Sequence, residues 1–110
     1  HDRQTQLQQC LVDYTESYNM VTQRLSDAYF AQNMKQIEEV LSEKRNDSCD
    51  DTKEEYAIMF DNRNADWVAK MPAIMSDKPT FFAVGAGHLP GEKGVLNLLK
   101  LAGYEVEAVK

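Results

Sequence analysis

The sequence predicts an α+β chain, mostly helical, whose carboxy-terminal strand–helix–strand unit would belong to a larger α/β domain. Three observations carry this. Apolar residues at alternating steps of four and three fill the first third of the chain, with no glycine or proline among them. An apolar, partly aromatic run, "TFFAV", stops at a glycine-rich loop. Beyond the loop a leucine-rich stretch closes on Gly103 and gives way to "YEVEAV", where apolar and acidic residues alternate.

The first element rests on Leu7, Leu11, Tyr14, Tyr18, Val21, Leu25 and Ala28, one apolar stripe on a helix expected near 3–31. Asn33 punctuates it, and Met34, Ile37, Val40 and Leu41 mark a shorter helix near 34–44. "DSCDDTKEE" is the clearest loop. Its acids lack the alternate spacing and turn glycine of a calcium loop, whereas Thr52 and Glu55 make a capping box for the next helix. That helix is expected over 53–76, with Pro72 forcing a kink or a break. A buried strand follows near 80–84, then the glycine loop, then a helix near 92–102 ended by Gly103 as its C′ residue. The alternation in "YEVEAV" marks a half-buried edge strand near 104–109.

A chain of 110 residues suits one domain or part of a larger one. It does not begin with methionine, so it is expected to be a piece of a longer protein. A net charge of −6 argues against a grip on nucleic acid, which needs a basic face. No run reaches the length of a membrane span and no segment has signal-peptide form, although this says nothing about where a longer parent works. Cys10 and Cys49 lack metal-type spacing. They could pair if the polar loop folds back on the first helix, or stay as two thiols, and the sequence leaves both open.

The loop "VGAGHLPGEKG" raises the question of a phosphate cradle. Strand, glycines, helix and Glu105 about twenty residues on have the layout of a dinucleotide fingerprint. The spacing fails, because Pro90 stands where the third glycine belongs and no Lys-Ser or Lys-Thr pair follows. The remaining reading makes His88 the point of the loop, with Gly85 and Gly87 letting the backbone turn sharply beside the imidazole. Two stripes on the 53–76 helix strengthen it. Tyr56, Phe60, Trp67 and Ile74 are interrupted at Arg63, and Ala57, Val68, Met71 and Met75 at Asn64. An arginine in an apolar face is costly unless it is paired with a carboxylate, a substrate or a backbone oxygen. Arg63 is therefore expected to face inward near the His88 loop, with Trp67 largely buried beneath it.

At these residues the chain resembles a known family. "RNADW" followed by "FFAVGAGHLPGEKGVLNLLKLAGYEVEAV" is similar to the carboxy-terminal signature of the TraB/GumN family, which includes pheromone-shutdown proteins and is related to the Tiki metalloproteases. The match is looser over residues 1–45. Members carry two Gly-x-x-His motifs proposed to bind a divalent metal together with a glutamate. The resemblance implies that Gly85 and His88 form the second motif, with His88 a metal ligand and Gly85 and Gly87 lining the binding loop. It likewise implies that Arg63, Asn64 and Glu92 belong to the catalytic site. The first Gly-x-x-His is absent here, since His1 has nothing before it.

The expected organisation is thus the carboxy-terminal part of one TraB/GumN-like domain over residues 1–110: a helical region to residue 45, a loop over 46–52 and the signature region from residue 53. The expected function is part of a metal-dependent hydrolase, a peptidase working outside the cytoplasmic membrane. Manganese, cobalt or zinc would be bound by the full-length parent and not tightly by this piece. The alternative is a non-catalytic module that binds and sequesters a peptide. Expected partners are a peptide or protein substrate, the amino-terminal half of the same domain, and a second copy through an exposed sheet edge.

Overall fold

The computed structural model describes residues 2–109, so His1 and any role for it lie outside the described residues. The elements run α1 (Asp2–Asp13), α2 (Thr15–Phe30), α3 (Met34–Ser42), α4 (Lys53–Tyr56), a π turn (Ala57–Asp61), α5 (Asn62–Asp77), a 3₁₀ turn (Ala86–His88) and α6 (Val95–Leu101). Two compact units divide between Asp51 and Thr52.

In the first unit the long helix expected over 3–31 is interrupted at Tyr14, whose φ of −121° and ψ of 30° are not helical. The cause is local. Thr15 Oγ1 donates back to the carbonyls of Leu11 (2.5 Å) and Val12 (3.1 Å), the kind of side-chain bond that bends a helix. At the other end of α2, Gln32 takes a φ of 57°, its N–H bonds the Tyr29 carbonyl and the Asn33 N–H bonds the Ala28 carbonyl. This is a Schellman closure with glutamine in the place that favours glycine. Asn33 then caps α3 by accepting from the Gln36 N–H at 3.1 Å, so the two helices are joined with no slack. Ala28, Ile37, Val40 and Cys10 are buried.

The loop after α3 is tied down on all sides. Asp50 accepts from the backbone N–H groups of Arg45 and Asn46, both at 2.7 Å. These bonds, with that from Arg45 the strongest cause, hold the carboxyl below its usual range. Arg3 donates to the carbonyls of Ser48 (2.5 Å) and Asp50 (2.7 Å), and Arg45 lies 3.8 Å over the Tyr14 ring. Cys10 and Cys49 form a disulfide across 39 residues, closing the choice that the sequence leaves open.

The second unit opens with the capping box read from the sequence: the Thr52 hydroxyl accepts from the Glu55 N–H, and the Glu55 carboxylate accepts from the Thr52 N–H. Helix α5 does not break at Pro72 but continues through it to Asp77. Val68, Met71 and Val95 are the buried centre, with Trp67, Met75, Phe82, Leu89, Leu98 and Leu99 packed against them. Helix α6 ends as expected, with Gly103 at a φ of 98°. The Gly103 and Tyr104 N–H groups close the Schellman bonds to the carbonyls of Lys100 and Leu99.

The expected α+β class is wrong. The fold is all-helical, and among the described residues neither 80–84 nor 104–109 forms a strand. The first segment keeps the period of a strand, Phe82 and Val84 half-buried while Phe81, Ala83 and Gly85 are exposed, yet it has no ladder neighbour. A strand is made by the hydrogen bonds of a second one, and composition alone does not supply them. Phe81 is 90% exposed, unlike the buried strand expected over 80–84, and Val109 is 97% exposed, unlike the half-buried edge strand expected over 104–109. With no sheet there is no sheet edge among the described residues, and the edge expected to drive dimerisation is not formed. The last helix is also shorter than 92–102. Residues 89–94 turn instead, with Gly91 at a φ of 92°.

Candidate functional site

The site is built from the start of α5 and the 3₁₀ turn. In an α-helix, residues four apart advance about 40° beyond a full turn, so a stripe at that spacing drifts around the cylinder. The wider π turn at Ala57–Asp61 takes back that lead. Tyr56, Phe60, Asn64 and Val68 therefore stay on one line and continue into Met71 and Met75.

This resolves the two stripes differently from the expectation. Asn64 lies in the buried stripe and is 2% exposed, the only buried polar residue among those described. Arg63 is exposed instead of facing inward, Ile74 is 46% exposed, and Trp67 is half-buried, not largely buried.

Asn64 holds His88. Its Nδ2 donates to the Lys93 carbonyl at 3.0 Å, and its Oδ1 lies 2.7 Å from His88 Nδ1. The amide cannot be turned round, because Lys93 offers a carbonyl that only accepts. Oδ1 therefore faces the imidazole, and since an amide oxygen only accepts, Nδ1 must carry the hydrogen. The neutral ring is fixed in one tautomer with the lone pair on Nε2. Fixing one ring nitrogen through its hydrogen bond in order to define the other is how ligating and proton-transferring histidines are set.

Aromatic rings complete the surroundings. The Phe60 ring is 5.0 Å and the Trp67 ring 4.7 Å from the imidazole. Arg63 lies 5.0 Å over the same Trp67 ring that packs against the histidine. Burial pushes the His88 pKa below its ordinary value, and the Arg63 charge pushes it the same way. Both effects keep the imidazole neutral, which leaves Nε2 free to take a proton or coordinate a metal.

The glycines divide by role. Gly85 has a φ of −63° that any residue adopts, and a Cβ there would meet His88 Cδ2 at an ordinary 3.6 Å, so the turn does not require glycine at this position. Gly87 lies inside the 3₁₀ turn. Gly94 is the position with no room, for a Cβ there would lie 2.1 Å from the Pro90 carbonyl oxygen. That glycine went unsingled in the sequence, as did the Lys93 carbonyl and Phe60's contact with the imidazole. Glu92 is exposed in the same turn, where its carbonyl accepts from Asn97 Nδ2 at 2.7 Å. Asn64, His88, Trp67 and Arg63 are thus brought together, while Glu92 joins no metal-type cluster. No group of three His, Cys, Asp or Glu suited to a metal occurs among the described residues. His88 fits a metal as a single nitrogen donor, and further ligands would have to come from outside these residues.

These features define a helical protein that presents one oriented, neutral imidazole beside an aromatic wall. The chain belongs to the TraB/PrgY/gumN family, which it matches over residues 1–108. No curated protein and no solved structure matches it.

Proposed function

We propose that the chain supplies the carboxy-terminal part of a metal-dependent hydrolase site, a peptidase acting outside the cytoplasmic membrane. His88 donates Nε2 to a divalent metal (manganese, cobalt or zinc), and the remaining ligands lie outside the described residues. The observation that carries this reading is the Asn64–His88 bond, which aims one lone pair and fixes the tautomer. A metal so placed polarises a carbonyl and lowers the pKa of a bound water. Asn64 orients the imidazole, the Gly85 and Gly87 backbone borders the approach to it, Arg63 handles substrate charge and Glu92 serves proton transfer at the edge of the turn. The Cys10–Cys49 disulfide supports an oxidising compartment, where such bonds persist.

Calorimetric titration of the full-length protein with the three metals, before and after His88→Ala, tests the reading. One metal equivalent lost on substitution, together with lost peptide hydrolysis, supports it. Metal binding or hydrolysis that survives His88→Ala sinks it. Peptide binding without metal dependence or turnover would favour a sequestering module.

A further inference from the structure

Arg63 differs from the chain's other three arginines. Arg3 donates to the Ser48 and Asp50 carbonyls, Arg24 grips Glu43 through both of its terminal nitrogens, and Arg45 donates to Ser17 over two tyrosine rings. Arg63 has an aromatic face beneath it and, among the described residues, no hydrogen bond or ion pair. The chain holds 18 acidic residues against 12 basic ones, so carboxylates are not scarce. The acid one turn along, Asp66, is engaged by Lys70 at 2.9 Å. An exposed cation left unpaired in an acidic chain, on the ring that packs against His88, is available to an external anion.

We infer that Arg63, laid over Trp67, binds a carboxylate of the peptide on which His88 acts. The proposal deepens the hydrolase reading and rests on it for the role of His88. The guanidinium carbon lies 5.0 Å over the indole and its N–H groups have no hydrogen-bond partner among the described residues, and that planar fork matches a carboxylate in bidentate geometry. Stabilising a developing oxyanion would need donors about 3 Å from that oxygen. A cation seated on the indole that packs against the imidazole serves recognition instead, holding a charged group set back from the bond that is cut. The carboxylate comes from a free peptide carboxy terminus or from an acidic side chain.

Fluorescence of Trp67, the chain's single tryptophan, reports this directly without metal or turnover. The probes are acetyl-trialanine with a free carboxylate, its neutral amide, and acetyl-alanyl-aspartyl-alaninamide. At least one carboxylate peptide should bind about tenfold or more tightly than the neutral amide, in keeping with a hydrogen-bonded charge pair. Arg63→Gln should erase that preference, and Arg63→Lys should keep part of it. The better of the two acids names the source. Equal affinity for all three peptides, no binding of any, or a preference that survives Arg63→Gln overturns the proposal. Failure of the hydrolase reading shows separately, as a metal titration indifferent to His88.

Discussion

Asn64 and His88 share a 2.7 Å hydrogen bond in which the amide oxygen accepts and the ring Nδ1–H donates. The direction is set by a third group, the Lys93 carbonyl, which takes the amide N–H at 3.0 Å. Asn64 therefore does two things at once: it pairs with a backbone oxygen of the loop and aligns an imidazole. Replacing it separates these roles.

Asn64→Ala leaves the Lys93 carbonyl and Nδ1 without their partner, at a cost of about 1–3 kcal/mol in stability. It also frees the ring to exchange tautomers. Asn64→Asp keeps an acceptor for Nδ1 but offers no donor to Lys93, and its charge should raise the His88 pKa. Nitrogen chemical shifts of the imidazole provide the check. A single Nδ1–H tautomer is expected in the native protein, a mixture in the alanine variant and a higher titration midpoint in the aspartate variant.

His88 also links stability to pH. Burial, then Arg63, holds its folded pKa below the ordinary value. The unfolded chain therefore takes up the proton first as pH falls. Stability from this group is fully present above about pH 6.5 and declines below it, levelling off once the folded imidazole is also charged. Denaturant midpoints measured across that window should fall with pH, and the slope should flatten in His88→Gln. An NMR midpoint for His88 at or above the ordinary histidine value would contradict this account.

Two glycines of one loop should respond oppositely to alanine. At Gly94 the new methyl would sit 2.1 Å from the Pro90 oxygen and 2.4 Å from the Leu89 oxygen, both backbone, so the turn must open. A loss on the order of 2–4 kcal/mol, or failure to fold, is expected. At Gly85 the backbone is already ordinary and the contact is 3.6 Å, so Gly85→Ala should leave stability unchanged or raise it by about 0.4–1 kcal/mol. Thermal melts of the two variants decide the matter. Equal damage at both would mean that the turn needs glycine at Gly85 for a reason other than space.

Much of the helical fold was legible because its signals are local. The Thr52–Glu55 box, the Asn33 cap and the Gly103 closure are each decided by a few neighbouring residues. The misread elements depend on something farther away or subtler. Residues 80–84 alternate like a strand, but a strand needs a partner that the segment cannot encode. On an undistorted helix Arg63 and Asn64 would both interrupt the inner face, whereas the π turn at Ala57–Asp61 leaves Asn64 buried and Arg63 exposed. The break at Tyr14 turns on one hydroxyl, that of Thr15, within an otherwise regular stripe. For the site, His88 and Asn64 could be named from the sequence, but the bond between them could not, since it spans 24 residues and a loop.

The disulfide gives the last prediction. Cys10 is buried on α1 and Cys49 lies in the loop after α3, at a sequence separation of 39. A crosslink of that span restricts the unfolded chain by about 4 kcal/mol on a loop-entropy view, within a usual range of about 2–5 kcal/mol. The loop does not depend on sulfur alone, for Arg3 holds its far side and Asp50 its near side through hydrogen bonds. Reduction, or Cys10→Ser with Cys49→Ser, should therefore lower the melting temperature of the first unit while leaving its helices formed at room temperature. Arg3→Gln in the reduced protein should cost more than in the oxidised one, because the hydrogen bonds then tether the loop without the crosslink. Circular dichroism melts of the four combinations measure that coupling. If the Arg3 effect is the same in both redox states, the loop is held by the disulfide and the two anchors act independently.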